Sequence, residues 1–383
     1  MSHSRRDFLR LSALAGSALS AGALSAEAFD TGGLTHKSLP TSVPSPLKIL
    51  VLGGTGFIGP HEIRYALDRG HEVTMFNRGR SNPELFPDVE RLIGDRDNQL
   101  DTLRGRRWDV VIDNSGFLPR HVRLSAELLE PNVGMYLFVS SISAYDPSGL
   151  RDWQHPDEAP YATMADPTDE SGGFYGRLYG PRKALCEQEV LSVFGPDRTV
   201  IVRPGLISGP GDPTDRIRHW FARAERGGEI LVPGEIDGPV QYIDARDLSG
   251  WIVELLENRT PGKFNGVGPR NTLSTAELVY GLVSAVSSDR FFTWVPWDFL
   301  AEQSVGGSYN PVVPPQAFPF MRIYNENSIE SGLRIRPLSH TVRDMHAEYE
   351  TIANAAYTEN FGWRAGPSSE NEGELLLAWH NRG

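Results

Sequence analysis

Lys48-Ile49-Leu50-Val51-Leu52-Gly53-Gly54-Thr55-Gly56-Phe57-Ile58-Gly59 is the stretch on which the reading of this chain turns. A short apolar run enters a turn carrying Gly53, Gly56 and Gly59, and an amphipathic pattern follows at once, with Ile63, Ala66 and Leu67 on one face and Glu62, Arg64 and Asp68 on the other. The order is strand, glycine turn, helix. Gly53 permits the tight turn, Gly56 lets the backbone approach a pyrophosphate, and Gly59 lets the helix pack closely on the strand. Phosphates then rest over the free N–H groups and positive dipole end of the helix. The context of strand before and helix after makes this a dinucleotide-binding turn, with Gly53, Thr55, Gly56, Phe57, Ile58 and Gly59 as its contacts.

Outward from that turn, further apolar runs at residues 71–76 (HEVTMF), 89–93, 109–112 (DVVI) and 135–139 (MYLFV) alternate with helix-period segments, among them 120–129, which Pro131 stops. Such runs read as parallel strands buried on both faces, in a Rossmann-type doubly wound α/β sheet with a smaller C-terminal lobe. Ligands then collect at the strands' carboxyl ends. The second strand ends in Asn77-Arg78-Gly79-Arg80. The acidic residue that accepts from a ribose 2′-OH in NAD-binding units is missing there, and two arginines suit a 2′-phosphate, so the expected cofactor is NAD(P), leaning to NADP. Asp95, with Arg96 beside it, is placed to hold the adenine amino group. Ser115 and Pro204 complete the expected cofactor set.

The fifth strand runs into Ser140-Ser141, and after a Pro-rich, acidic insertion comes Tyr179-Gly180-Pro181-Arg182-Lys183 at the head of a helical run. Pro181 suits a first helical turn. Tyr179 and Lys183, four apart, share one face. A lysine ammonium beside the phenol favours phenolate and lowers its pKa, while a serine hydroxyl holds the substrate oxygen.

With these residues the chain resembles the extended short-chain dehydrogenase/reductase family, the NAD(P)-dependent epimerase/dehydratase group, from Lys48 to about Leu338. The marks are GGTGFIG at 53–59, FVSS at 138–141, YGPRK at 179–183, RPGLISGPGD at 203–212 and VQYIDARDL at 240–248. The resemblance implies Ser141 as the catalytic serine, four positions before Tyr145. It implies Tyr179 as general acid/base, and Lys183 as the residue that binds the nicotinamide ribose and tunes Tyr179. Ile142 and Ser143 stand where sugar-nucleotide 4,6-dehydratases carry an Asp-Glu pair, which argues against dehydration. GGT-x-FIGPH and FNRG also resemble chloroplast stem-loop RNA-binding proteins of the same fold.

The 383 residues carry a formal charge of −12, which disfavours a nucleic-acid surface, and a single cysteine, Cys186, which excludes an internal disulfide and a metal held by a cysteine cluster. No apolar run approaches the roughly 20 residues of a membrane span. Ser4-Arg5-Arg6-Asp7-Phe8-Leu9-Arg10 matches a twin-arginine export signal, with a small-residue cleavage site at Ala26-Glu27-Ala28. The expected organisation is a signal at 1–28, a linker at 29–46, an NAD(P)-binding domain at 47–205, a substrate-binding lobe at 206–360 that returns late to the sheet through KFNG at 263–266, and a tail at 361–383 with a short helix. Export by that route predicts a periplasmic or extracellular protein, folded around its cofactor before leaving. An exported enzyme has no obvious NAD(P)H supply, so a redox-neutral epimerase acting on a sugar or polyol is expected. A plain reductase or dehydrogenase and a non-catalytic binding relative are the alternatives. Arg216, Arg218, His219, Gln241, Tyr242 and Arg246 are candidates for the substrate side, the aromatic group Phe291, Phe292, Trp294, Trp297 and Phe299 is expected in the core with a sugar-binding cleft as the alternative, and the family's habit allows a homodimer.

Overall fold

Ile49 and Val51 point to one side of the strand β1 (Lys48–Leu52) and Leu50 and Leu52 to the other, and all four are buried. The computed structural model describes residues 45–305, 309, 311–353 and 366–382. The segment expected to be an export signal, nearly all of the expected linker, and residues 361–365 and 383 of the tail lie outside the described residues.

β1 is central to a seven-stranded sheet. Its other members are β2 (Glu72–Asn77), β3 (Glu90–Ile93), β4 (Trp108–Asp113), β5 (Val133–Val139), β6 (Thr199–Pro204) and, beyond the short strands β7 (Ile207–Ser208), β8 (Gly228–Pro233) and β9 (Pro239–Asp244), β10 (Gly262–Gly266). The order is β10-β6-β5-β4-β1-β2-β3, parallel at every pairing. Strands covered on both faces need apolar residues at consecutive positions, which explains the unbroken ILVL of β1. On one face, α1 (Gly59–Asp68) and, past α4 (Arg218–Glu225) of the second lobe, α5 (Ala245–Glu257) bury Ile63, Ala66, Trp251 and Leu255 against Ile49 and Val51. On the other, α2 (Pro119–Leu129) and α3 (Tyr179–Phe194) bury Val122, Ala126, Cys186 and Val190 against Leu50 and Leu52. The order reverses direction between β1 and β4, and the crevice at their carboxyl ends is where such sheets take ligands.

β10 contains the KFNG stretch and closes the sheet edge by pairing with β6 from Gly262 against Val200 to Gly266 against Pro204. The remaining strands build a second layer: β9 lies between β7 and β11 (Gly268–Ser274), and β8 pairs in parallel with β12 (Arg290–Val295). β12 turns Phe292 and Trp294 to one side, against the lobe's core, and Phe291 to the other, where against expectation it is exposed; the run of aromatics concealed this strand. Trp297 and Phe299 are buried in the lobe's own core with Trp220 and Phe221. In the tail, helix Ser369–His380 seats Leu375 and Leu376 in that core and leaves Leu377 exposed. Among the described residues no helix is long and apolar enough to cross a membrane.

Candidate active site

The strand ends from β1 to β6 open on one cleft of about 1210 Å³, larger than the roughly 300–1,000 Å³ of an ordinary small-molecule site. Every residue expected to bind cofactor or to act in catalysis lines it, from Gly53, Thr55, Gly56, Phe57, Ile58 and Gly59 at one wall to Ser141, Tyr179, Lys183 and Pro204 at the other. Gly53 holds φ = +113°, which disfavours any other residue, and a Cβ on Gly59 would collide with the backbone of Gly54. At Gly56 a Cβ would meet nothing: the backbone there faces open cleft. Among the described residues no side chain caps the start of α1, whose first N–H groups face the cleft end.

At the β2 end, Asn77 turns inward: its amide donates to the Gly53 carbonyl at 3.3 Å and its Oδ1 accepts from Gly79 N–H at 2.8 Å. Arg78 and Arg80 are exposed at the cleft rim, and neither has an ion-pair or hydrogen-bond partner among the described residues. Asp95 accepts from the Asp97 N–H at 3.1 Å. Arg96 differs from expectation. It is buried, with its guanidinium donating to Asp113 Oδ1 at 2.5 Å and Ser125 Oγ at 2.6 Å, and Ser115 Oγ lies 3.4 Å from it. It braces the cleft floor, its charge already spent on a carboxylate that Tyr136 also donates to at 2.7 Å. Sequence adjacency to Asp95 did not reveal that inward turn.

At the other end the two neighbouring serines separate. Both line the cleft, but Ser140 is buried and donates to Glu187, whereas Ser141 accepts from Ser143 N–H at 3.1 Å and hydrogen-bonds the Tyr179 phenol. Gly180 permits this: a Cβ there would strike the Ser143 carbonyl, so only glycine lets the first turn of α3 abut the serine segment. Lys183, buried on the same helix, donates to the carbonyls of Gly116 at 2.9 Å and Val139 at 2.7 Å, 4.0 Å from the centre of the Phe138 ring. Burial pulls the Lys183 pKa down to about 8. The Tyr179 phenol is pushed up to about 12 by burial, with the Ser141 hydrogen bond opposing. The expected lowering of the phenol by Lys183 is therefore overturned in this state, because desolvation of the ring outweighs the attractive contacts and the ammonium is turned to main-chain carbonyls.

Residues 49–266 match the NAD dependent epimerase/dehydratase family. The chain belongs to that family. Among curated relatives, a 2-alkyl-3-oxoalkanoate reductase of Stenotrophomonas maltophilia is 28% identical over 64% of this chain and 77% of its own. The chloroplast stem-loop binding protein of 41 kDa b of Arabidopsis thaliana is 29% identical over 58% of each chain, so the match leaves a large part of that relative uncovered. Of solved structures, the Bordetella bronchiseptica enzyme WbmG in complex with NAD and UDP superposes with a TM-score of 0.58 at 16% identity, over 80% of this chain and 96% of that one. At that identity the likeness speaks for the fold.

Two features of this epimerase/dehydratase-family chain escaped the sequence. Behind Ser140, Arg203 and Glu187 form a fully buried ion pair at 2.6 Å, and Arg203 also donates to the hydroxyls of Tyr145 and Tyr161, each at 2.9 Å. Arg203 was visible only as part of a family motif, and nothing in the spacing linked it to Glu187. Under the glycine loop, the Asn114 amide donates to Glu62, while Glu62 Oε1 and Asn114 Oδ1 are buried without a hydrogen-bond partner among the described residues. Burial raises the Glu62 carboxyl to about 7, with the Asn114 bond opposing. Of the substrate-side candidates, Arg216 alone lines the cleft. Arg218 is taken by Asp215 and Glu348, Arg246 by Asp244 and Asp344, Gln241 exchanges hydrogen bonds with the Ile323 backbone, His219 is buried, and Tyr242 faces a separate cavity.

Proposed function

We propose that the protein is an NAD(P)-dependent epimerase/oxidoreductase acting at a carbinol carbon of a sugar or polyol, with its cofactor tightly held. The observation that carries this reading is the meeting of Ser141, Tyr179 and Lys183 in the same cleft as the Gly53–Gly59 turn. The glycine turn and the uncapped end of α1 would hold the pyrophosphate, Arg78 and Arg80 a 2′-phosphate, and Lys183 the nicotinamide ribose. The nicotinamide supplies the hydride acceptor and donor.

The chain's own residues handle the proton. Tyr179, protonated at neutral pH, gives its proton to a carbonyl oxygen in the reducing direction and takes it back in the oxidising one. Ser141 holds that oxygen while charge develops on it. Lys183, largely charged below pH 8, stands four residues on along the same helix. The N-terminal arginine pair supports export in the folded, loaded state to the periplasm or beyond, and isolation from NAD(P)H supports a reaction that returns its hydride in each cycle.

The test is the nucleotide content of protein purified without added cofactor, read by mass spectrometry after denaturation, with turnover assayed in the absence of NAD(P)H. Near-stoichiometric NADP with unassisted turnover is the expected result. An empty protein that turns over only with added NAD(P)H would make it an ordinary reductase. No NAD(P) binding, with RNA binding that falls steeply with salt, would make it a binding relative.

A further inference from the structure

The cleft has two chemically different ends. The guanidiniums of Arg78 and Arg80, without partners among the described residues, both stand at the β2 end. Of the Lys and Arg side chains that line the cleft around Tyr179, Lys183 is engaged with two carbonyls, Arg120 with Asp97 at 2.7 Å and Glu170 at 2.9 Å, and Arg216 acts by its charge on Asp212. A nucleoside diphosphate presents two anionic groups that call for uncommitted cations, which the Lys and Arg side chains lining this end, among the described residues, do not offer.

What this end offers instead is aromatic surface. Phe174 and Tyr175, on the segment between β5 and α3, are 45% and 65% exposed, and both border the cleft. Phe174 stacks on Phe117 with centroids 5.1 Å apart, and Tyr175 meets Phe117 edge-on at 5.4 Å and Tyr179 at 5.5 Å. The segment is fixed from behind. Arg182, buried, donates to the carbonyls of Asp169, Ser171 and Gly173, and Glu170 is tied to Arg120. Large rings held in place yet left open to water serve no core, and their position beside the candidate acid/base makes them a wall for a ligand.

We infer that Phe117, Phe174 and Tyr175 form the substrate subsite of the cleft, and that its occupant is an uncharged ring, a pyranose or a glycoside with an aryl group, in place of a nucleotide-linked sugar. Ring faces stack on the C–H faces of a pyranose or on an aryl group, and nearby Glu170 and Asp97 discourage an anion. The inference rests on the hydride-transfer reading for the place of the reacting carbon; the stacking surface itself is independent of it.

The experiment uses full-length protein with its bound nucleotide, probed by saturation-transfer NMR and calorimetry with phenyl β-D-glucopyranoside, UDP-glucose and UDP. Phenyl glucoside is expected to bind, with saturation strongest on its aryl protons, and the two nucleotides to bind more weakly or not at all. F174A/Y175A, which alters exposed side chains only, is expected to weaken phenyl glucoside at least about tenfold while leaving nucleotide content unchanged. Tighter binding of UDP-glucose, or unchanged phenyl glucoside binding in F174A/Y175A, overturns the inference. A protein without NAD(P) that still binds phenyl glucoside, and loses it in F174A/Y175A, keeps the subsite and sinks the hydride reading instead.

Discussion

Lys183 donates its ammonium to the carbonyl oxygen of Val139 at 2.7 Å, which ties the helix carrying Tyr179 to the last residue of β5. The bond sets the distance between Tyr179 and the serine segment that follows Val139. It also places a cation, its pKa brought down to about 8 by burial, under the cleft floor.

Replacing Lys183 with Met removes that cation and leaves the Gly116 and Val139 carbonyls without their donor. Turnover is expected to fall by about 10²–10⁴-fold, with loss of bound nucleotide. Arg is not expected to rescue, since a planar fork does not fit a buried site shaped for a point charge. First-turnover cofactor reduction and nucleotide content check this together. Wild-type values for both would remove Lys183 from the machinery.

Ser141→Ala removes the hydrogen bond that opposes the upward push of burial on the Tyr179 phenol. The phenol should then lose its proton less readily, so the pH–rate profile for alcohol oxidation moves to higher pH, and its plateau falls about 10²-fold with the loss of oxygen stabilisation. Ser141→Thr, which keeps the hydroxyl, is expected to restore the profile in part. An unshifted profile in the alanine variant would show that Ser141 does not act through Tyr179.

The doubly wound sheet was legible because its signals are local: consecutive apolar residues in β1, helix-period segments between strands, and glycines whose positions have one steric purpose each. Even the late return of KFNG to the sheet edge could be read. The pairing of Tyr179 and Lys183 on one helix face followed from their spacing. What stayed hidden depended on residues far apart in the chain. Arg96 turns inward because Asp113, 17 residues on, waits for it. Arg203 finds Glu187 across a helix–strand contact, and that same Glu187 takes the Ser140 hydroxyl. The phenol's pKa was misjudged because spacing tells of a neighbouring charge and says nothing of desolvation. The exposed Phe174 and Tyr175, inside a Pro-rich and acidic insertion, carried no periodic signal at all.

Glu62 gives a pH dependence of stability. Its folded pKa, about 7, lies above the unfolded value, so the folded state binds the extra proton between roughly pH 4.5 and 7. The contribution is fully favourable below the unfolded pKa and is lost as pH rises through 7. Glu62→Gln keeps an acceptor for the Asn114 amide and removes the titration. It is expected to stabilise the protein at pH 8 by about 1–3 kcal/mol, with little change at pH 5. Thermal unfolding of both proteins from pH 5 to 8 checks this. Parallel curves would mean that Glu62 does not titrate in that range.

Arg78 and Arg80 stand exposed at the end of β2, where Asn77, bound to the glycine turn, presents no carboxylate to a ribose hydroxyl. A 2′-phosphate brings a dianion to two guanidiniums without partners among the described residues, and hydrogen bonds of that charge-assisted kind are the strong ones. The double variant R78A/R80A is therefore expected to weaken NADP binding by about 10–100-fold while changing NAD binding only a few fold, since a cation stacked on adenine serves both cofactors alike. The two effects separate by calorimetry with each cofactor on the stripped protein, and NADP loss should shrink as salt is raised. Equal losses for NAD and NADP would assign the arginines to the adenine ring alone, and the cofactor preference would then have to be sought in the loop that Asn82 ties to the Thr55 carbonyl at 2.9 Å.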